Sequence, residues 1–172
     1  QKLNYLESLG VTILYLNPIF EAHSNHRYNT ANYLKIDPLL GTEQDFSHLC
    51  AEAKKHGIKI ILDGVFSHTG SDSIYFNKEN RYDTLGAFNS MNSPYFKWFH
   101  FIKYPDVYQS WWGFSTLPEL NKHDPDYIEF ICGKNGVLRH WLRLGASGFR
   151  LDVADELPDE FLENLRDAAK AE

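Results

Sequence analysis

The chain is predicted to fold as an α/β protein built on a parallel sheet, and three observations carry that prediction. First, one design occurs three times. Leu9-Gly10 precedes an apolar run at 11–16 that ends in Asn17. His56-Gly57 precedes a run at 58–62 that ends in Asp63. Leu144-Gly145 precedes a run that ends in Arg150-Leu151-Asp152. Second, the runs are nearly continuous in apolar residues, which marks strands covered on both faces and fed by helices. Third, polar side chains repeatedly close the strands. α/β barrels and doubly wound sheets both build their sites at strand C-terminal ends in this way.

The elements follow in order. Residues 2–9 read as the tail of a helix, and Gly10, like Gly57 and Gly145, suits the left-handed turn that closes one. A strand is expected over 11–16. Thr42 and Asp45 resemble a capping box with Thr42 as N-cap. Phe46, Leu49, Cys50 and Ala53 then share one helical stripe before Gly57. A second strand is expected over 58–63. Asp124-Pro125 suits an N-cap followed by proline at the first helical position. Tyr127, Ile128, Ile131, Leu138, Trp141 and Leu142 continue at roughly helical spacing, with an irregular turn expected at Gly133 and Gly136. A third strand is expected over 147–152. Pro158-Asp159 opens a last helix that buries Phe161, Leu162, Leu165 and Ala168.

Residues 69–123 break the pattern. A connection this long is far beyond the usual βα loop, so a small inserted domain is expected there. The divisions are then 1–68, 69–123 and 124–172. The segment is rich in aromatic residues, among them Tyr75, Phe76, Trp98, Phe99, Tyr108, Trp111, Trp112 and Phe114. A small lobe needs large side chains to form any core, and that explanation is favoured for any single ring. The competing one is that some rings face a cleft and stack on sugars. For Trp111 and Trp112 the sequence does not choose between the two explanations; successive side chains tend to diverge, so one could be core and the other exposed.

Composition sets bounds. The 172 residues suffice for one or two domains, and the net charge of −6 argues against a basic nucleic-acid-binding surface. No apolar run approaches a membrane span. A cytoplasmic location is expected, although the absence of a secretory signal says little for a chain that can begin internally. Cys50 and Cys132 fall on expected helices and read as half-buried thiols rather than a disulfide, and the eight histidines form no metal-type cluster in sequence.

The most informative residues are Arg150 and Asp152. Side chains two apart on a strand share a face. A cation beside a carboxylate favours its ionised form. An ionised carboxylate aimed from a strand end can act as a nucleophile or an electrostatic stabiliser. A buried structural ion pair is the alternative at this point.

Four segments together carry a resemblance. Asp63-Gly64-Val65-Phe66-Ser67-His68 resembles the first conserved motif of the α-amylase family of glycoside hydrolases, and Gly148 to Asp152 resembles the second. Leu117-Pro118-Glu119-Leu120-Asn121 resembles the short motif that ends the family's inserted domain. Gly10 to Phe20, with Asn25-His26-Arg27-Tyr28-Asn29-Thr30 after it, resembles the second barrel strand and its loop. Order and spacing match along the whole chain. Within the family the likeness is to the neopullulanase, cyclomaltodextrinase and maltogenic amylase group and to neighbouring α-glucosidases.

The resemblance implies a partial (β/α)8 TIM barrel, strands two to four, with a small domain inserted after strand three. A whole barrel takes about 250 residues, so a fragment of a longer catalytic domain is expected. The implied activity of that longer enzyme is retaining hydrolysis of α-glucosidic bonds in maltooligosaccharides, cyclodextrins or related α-glucans. Alternatives on the same scaffold are a transglycosylase, a sugar isomerase or a non-catalytic glycan-binding relative.

By resemblance, Asp152 is the nucleophile and Arg150 its cationic partner. His68 would hydrogen-bond a sugar hydroxyl, Asp63 would orient its neighbours, and Tyr28 would stack under the same sugar. Asp155 and Glu156 would lie on the leaving-group or acceptor side. The family's general acid, a glutamate after the fifth strand, has no counterpart here, so the chain alone is expected to be inactive. Ser67 stands where many members carry a calcium-binding asparagine. The loss of that oxygen leaves no metal or other cofactor assigned, although calcium could serve the longer enzyme. The expected partner is an α-glucan, with no nucleic acid and no membrane, and the longer chain could form a homodimer.

Overall fold

The computed structural model describes residues 2–172. The chain forms an α/β unit around a three-stranded parallel sheet. Its strands are β1 (Ile13–Tyr15), β4 (Lys59–Gly64) and β7 (Gly148–Leu151), with β4 in the centre. The register pairs Tyr15 with Ile61 and Asp63 with Arg150. The three strands are those expected, and the sheet does not close into a barrel. β2 (Phe20–Ala22) and β3 (Thr30–Ile36) form an antiparallel hairpin within the loop after β1. β5 (Phe101–Lys103) and β6 (Val107–Tyr108) form a second, short hairpin.

The helices begin and end where their chemistry dictates. α1 (Leu3–Ser8) runs into Gly10, whose φ is +78°. α2 (Glu43–Lys55) opens on the expected reciprocal capping box, in which Thr42 Oγ1 accepts from the Asp45 N–H and the Asp45 carboxylate accepts from the Thr42 N–H. α3 (Pro125–Cys132) is capped by Asp124 and separated from α4 (Val137–Arg143) by the turn at Gly133 to Gly136. α5 (Asp159–Lys170) follows Pro158. Gly145 meets two constraints: its φ is +115°, and a Cβ there would lie 2.6 Å from the Cys50 Cβ. That close approach seats the loop before β7 on α2.

The sheet has two unlike faces because side chains alternate along a strand. Ile60 and Leu62 point to one face and are 1% and 0% exposed. They belong to a hydrophobic core that includes Phe46, Ala53, Ile131, Leu138 and Trp141 from the helices. The other face carries Ile13, Tyr15, Ile61, Asp63 and Arg150. Ile13 there is 54% exposed. Burial on both faces was the expectation from the apolar runs, and the structure corrects it: the helices cover one face only. Both cysteines are buried, more fully than expected, and neither is in a disulfide.

The segment 69–123 contains little regular structure. Tyr75, Phe76, Trp98, Phe99 and Tyr108 are buried. Their rings continue into the core, with Trp98 5.3 Å from Tyr127 and Tyr75 5.5 Å from Phe130 between centroids. Core formation therefore accounts for these five. Its far end folds back on the segment after β4, where the Leu120 N–H donates to the Ser67 carbonyl at 2.9 Å and the Thr69 N–H to the Pro118 carbonyl at 3.2 Å. Among the described residues no helix is long and apolar enough to cross a membrane.

Candidate active site

The site lies at the C-terminal ends of the three parallel strands. Asp63 and Arg150 are register partners on β4 and β7, and Tyr15, paired with Ile61 two residues before Asp63, shares their open face. Asp63 is the hub. Its side chain is fully buried, and Arg150 Nη1 donates to its Oδ1 at 3.0 Å and its Oδ2 at 3.2 Å. Oδ2 also accepts from the Tyr28 hydroxyl at 2.9 Å and from the Tyr15 hydroxyl. The same Nη1 donates to Asp152 Oδ1 at 2.7 Å. One guanidinium nitrogen thus bridges two carboxylates. The hydrogen bond to Asp63 pushes the Arg150 pKa up, keeping the group cationic. Burial and the Asp63 carboxylate push Tyr15 up, so its hydroxyl stays protonated as a donor.

Asp152 is placed differently from Asp63. It follows β7, and its N–H donates to the Gly64 carbonyl at 3.1 Å. The next residue, Val153, has φ +43°, a turn that redirects the chain immediately after the carboxylate. Asp152 lines a cleft together with Tyr28, His68, Trp111, Phe114, Leu117 and Val153. Oδ1 is held by Arg150, and no donor among the described residues sits on Oδ2. The arrangement can present one free carboxylate oxygen to a ligand while the other is anchored.

His68 is 2% exposed. Its Nε2 lies 3.1 Å from the Tyr28 carbonyl and its Nδ1 2.8 Å from Ser67 Oγ. A carbonyl only accepts, so Nε2 carries the proton and Nδ1 accepts from the Ser67 hydroxyl. Burial lowers the His68 pKa below its ordinary 6.5, which favours this neutral form. Ser67 Oγ is therefore already engaged. Among the described residues no group of three or more His, Cys, Asp or Glu side chains could hold a metal.

The predicted residues Tyr28, Asp63, His68, Arg150 and Asp152 come together. Asp155 and Glu156 lie in the adjoining turn (Ala154–Glu156), outside the cleft lining. Asp155 is exposed, and Glu156 accepts from the Trp112 indole N–H at 2.9 Å. The expectation for the tryptophan pair is corrected. Neither ring is in the core: Trp112 is 78% exposed and Trp111 is half-buried in the cleft wall. The pair sits in a tight turn (Trp111–Gly113) rather than a strand, so the rings stay neighbours, 5.7 Å apart. Sequence reasoning missed Tyr15 as a site residue.

A larger cavity opens at the opposite ends of the strands, against Cys50, Ile58, Gly145 and Ser147. No carboxylate or histidine lines it, so the cleft at Asp152 is the candidate site.

The whole chain has recognisable relatives. Residues 1–171 match the family model "Alpha amylase, catalytic domain". An amylopullulanase of Thermoanaerobacterium saccharolyticum is 45% identical over 97% of this chain and 14% of its own. Neopullulanase 2 of Thermoactinomyces vulgaris is 38% identical over 99% of this chain and 28% of its own. Among solved structures, the cyclic α-maltosyl-(1→6)-maltose hydrolase of Arthrobacter globiformis, in complex with that cyclic sugar, superposes with a TM-score of 0.87. It is 33% identical over 98% of this chain and 37% of its own. The chain thus spans between 14% and 37% of the length of these relatives. It belongs to the α-amylase family of glycoside hydrolases and corresponds to part of that family's catalytic domain.

Proposed function

We propose that this chain supplies the nucleophile half of a retaining α-glucosidic active site. It would do so as strands two to four of an eight-stranded barrel, with 69–123 as the inserted domain. Its open sheet face would then be the barrel's interior wall. The observation that carries the reading is the Arg150 bridge, which fixes Oδ1 of the cleft-lining Asp152 and leaves Oδ2 without a donor among the described residues. In the reaction Asp152 Oδ2 attacks the anomeric carbon of an α-linked glucose. The bond to the leaving oxygen breaks as a carboxylic acid elsewhere in the catalytic domain protonates it. The two carboxyl groups of such a pair stand about 5–5.5 Å apart. Water then displaces the sugar from Asp152 while the acid of the first step, now a carboxylate, takes the water's proton, so both carboxyl groups return to their starting forms.

The other residues position this step. Asp63 holds Arg150 and Tyr28 at once, so one buried carboxylate sets both the nucleophile and the ring beside it. Tyr28 offers its face to the sugar, and His68 shares its Nε2 proton between the Tyr28 carbonyl and a sugar hydroxyl. The substrates we infer are maltooligosaccharides, cyclodextrins and related α-glucans.

The test uses the full-length protein and an activated fluorinated α-glucosyl donor that traps a covalent intermediate. The expected result is a sugar adduct on the peptide containing Asp152, absent in Asp152→Asn. An adduct on another residue, or turnover by Asp152→Asn above a small fraction of wild type, overturns the assignment.

A further inference from the structure

One feature near the cleft is not used by that mechanism. Trp112 has φ +50° and ψ +27°, a left-handed conformation inside the turn Trp111–Gly113. A bulky side chain is a genuine outlier there, and such conformations persist only where surrounding contacts hold them. Burial does not hold this one, because Trp112 is 78% exposed. What it does have is a hydrogen bond from Nε1 to Glu156 Oε1 at 2.9 Å. Glu156 lies in the turn directly after Asp152 and Val153, and Val153 is itself left-handed at φ +43°. Two strained segments, remote in sequence, therefore meet through one side-chain bond at the edge of the cleft.

The ring affected by this bond is Trp111. It lines the cleft. Its Nε1 is buried and has no hydrogen-bond partner among the described residues. The ring is therefore positioned by stacking, 5.5 Å from His68, 5.7 Å from Trp112 and 6.1 Å from Phe114. His68 is fixed by its own two bonds. Trp112 is the exposed neighbour, and its bond to Glu156 ties it down.

We propose that Trp112 and Glu156 form a positioning latch that holds the Trp111 ring as a platform for a second pyranose ring, next to the sugar attacked by Asp152. The ligand class is an oligosaccharide rather than a monosaccharide, because Trp111 and Asp152 both line the cleft and each takes a sugar ring of its own. Apolar sugar faces suit aromatic rings, and the strained turn presents two of them at little further ordering cost. This inference rests on the glycosidase reading above.

The test is a double-mutant cycle in the full-length protein with Trp112→Phe, Glu156→Ala and the pair combined. The readout is the ratio of kcat/KM on maltotriose to kcat/KM on an aryl α-glucoside, which offers only one sugar. Each single variant is expected to lower the ratio about threefold to tenfold, the effect of one net hydrogen bond. The combined variant is expected to be no worse than either single one, since both break the same bond. Glu156→Gln keeps an accepting oxygen and is expected to restore most of the ratio. An unchanged ratio, or losses that multiply in the combined variant, overturns the latch. Absence of turnover by the wild-type protein on both substrates instead sinks the glycosidase reading, so the two failures are distinct.

Discussion

Arg150→Met is the most discriminating perturbation of this site, because Arg150 serves two carboxylates in unlike surroundings. Asp63 has a fully buried side chain, whereas the Asp152 side chain is 16% exposed. Removing one partner of a fully buried ion pair costs about 3–5 kcal/mol, mostly through the charge left behind. Two facts reduce that figure here. The Arg150 side chain is 45% exposed, so water already screens the pair. The Tyr15 and Tyr28 hydroxyls also continue to donate to Asp63. We expect a loss of about 2 kcal/mol, or about thirtyfold in the ratio of folded to unfolded protein. The assay is urea unfolding followed by tryptophan fluorescence. Adding Asp63→Asn to Arg150→Met removes the stranded charge and is expected to recover most of the loss. Asp152→Asn keeps an oxygen for Arg150 and is expected to change stability by no more than about 0.5 kcal/mol. If Arg150→Met unfolds at the wild-type urea concentration, or Asp63→Asn gives no recovery, Asp63 does not depend on that cation and the hub is wrong.

Three further outcomes are expected. His68 has its pKa lowered by burial, so as pH falls below 6.5 the unfolded chain binds a proton that the folded one does not. Stability should therefore fall from pH 6.5 down to the folded pKa, and His68→Gln should flatten that slope; an unchanged slope in a pH series of urea midpoints refutes it. Thr42→Ala removes the acceptor of the Asp45 N–H and is expected to cost about 1 kcal/mol, read from the same unfolding curves. Trp141→Phe leaves the buried Tyr33 carbonyl without its 2.8 Å indole donor and is expected to cost about 1–3 kcal/mol, where a change below 0.5 kcal/mol would mean that the cavity readjusts or admits water.

The strands of the parallel sheet were legible because each is framed by chemistry that local sequence displays: a left-handed glycine before it and a polar residue after it. The capping box at Thr42 was legible for the same reason. The hairpin of β2 and β3 was not. Its register shifts on either side of Glu21, and the burial of β3 does not alternate cleanly, so no period of two was visible. Tyr15 was hidden by its setting. It ends an apolar strand and reads as an ordinary core ring, and only the pairing of β1 with β4 shows that it shares a face with Asp63. The tryptophan pair failed for a backbone reason, since nothing in the local sequence announces that Trp112 takes a left-handed turn.

The two faces of the sheet separate stability from chemistry. Ile60 and Leu62 anchor the sheet on the helices, while Tyr15, Asp63 and Arg150 work on the side that the helices leave open. Substitutions on the open face that leave Asp63 its partners should mostly alter the site and spare the fold. Asp63 is the exception, because it belongs to the open face and yet its side chain has no exposed surface. Among the described residues its side-chain partners are Tyr15, Tyr28 and Arg150. The same bonds that orient Arg150 and Tyr28 at the candidate site make the buried carboxylate tolerable, so the geometry of the site and the stability of this part of the fold are set by one set of contacts.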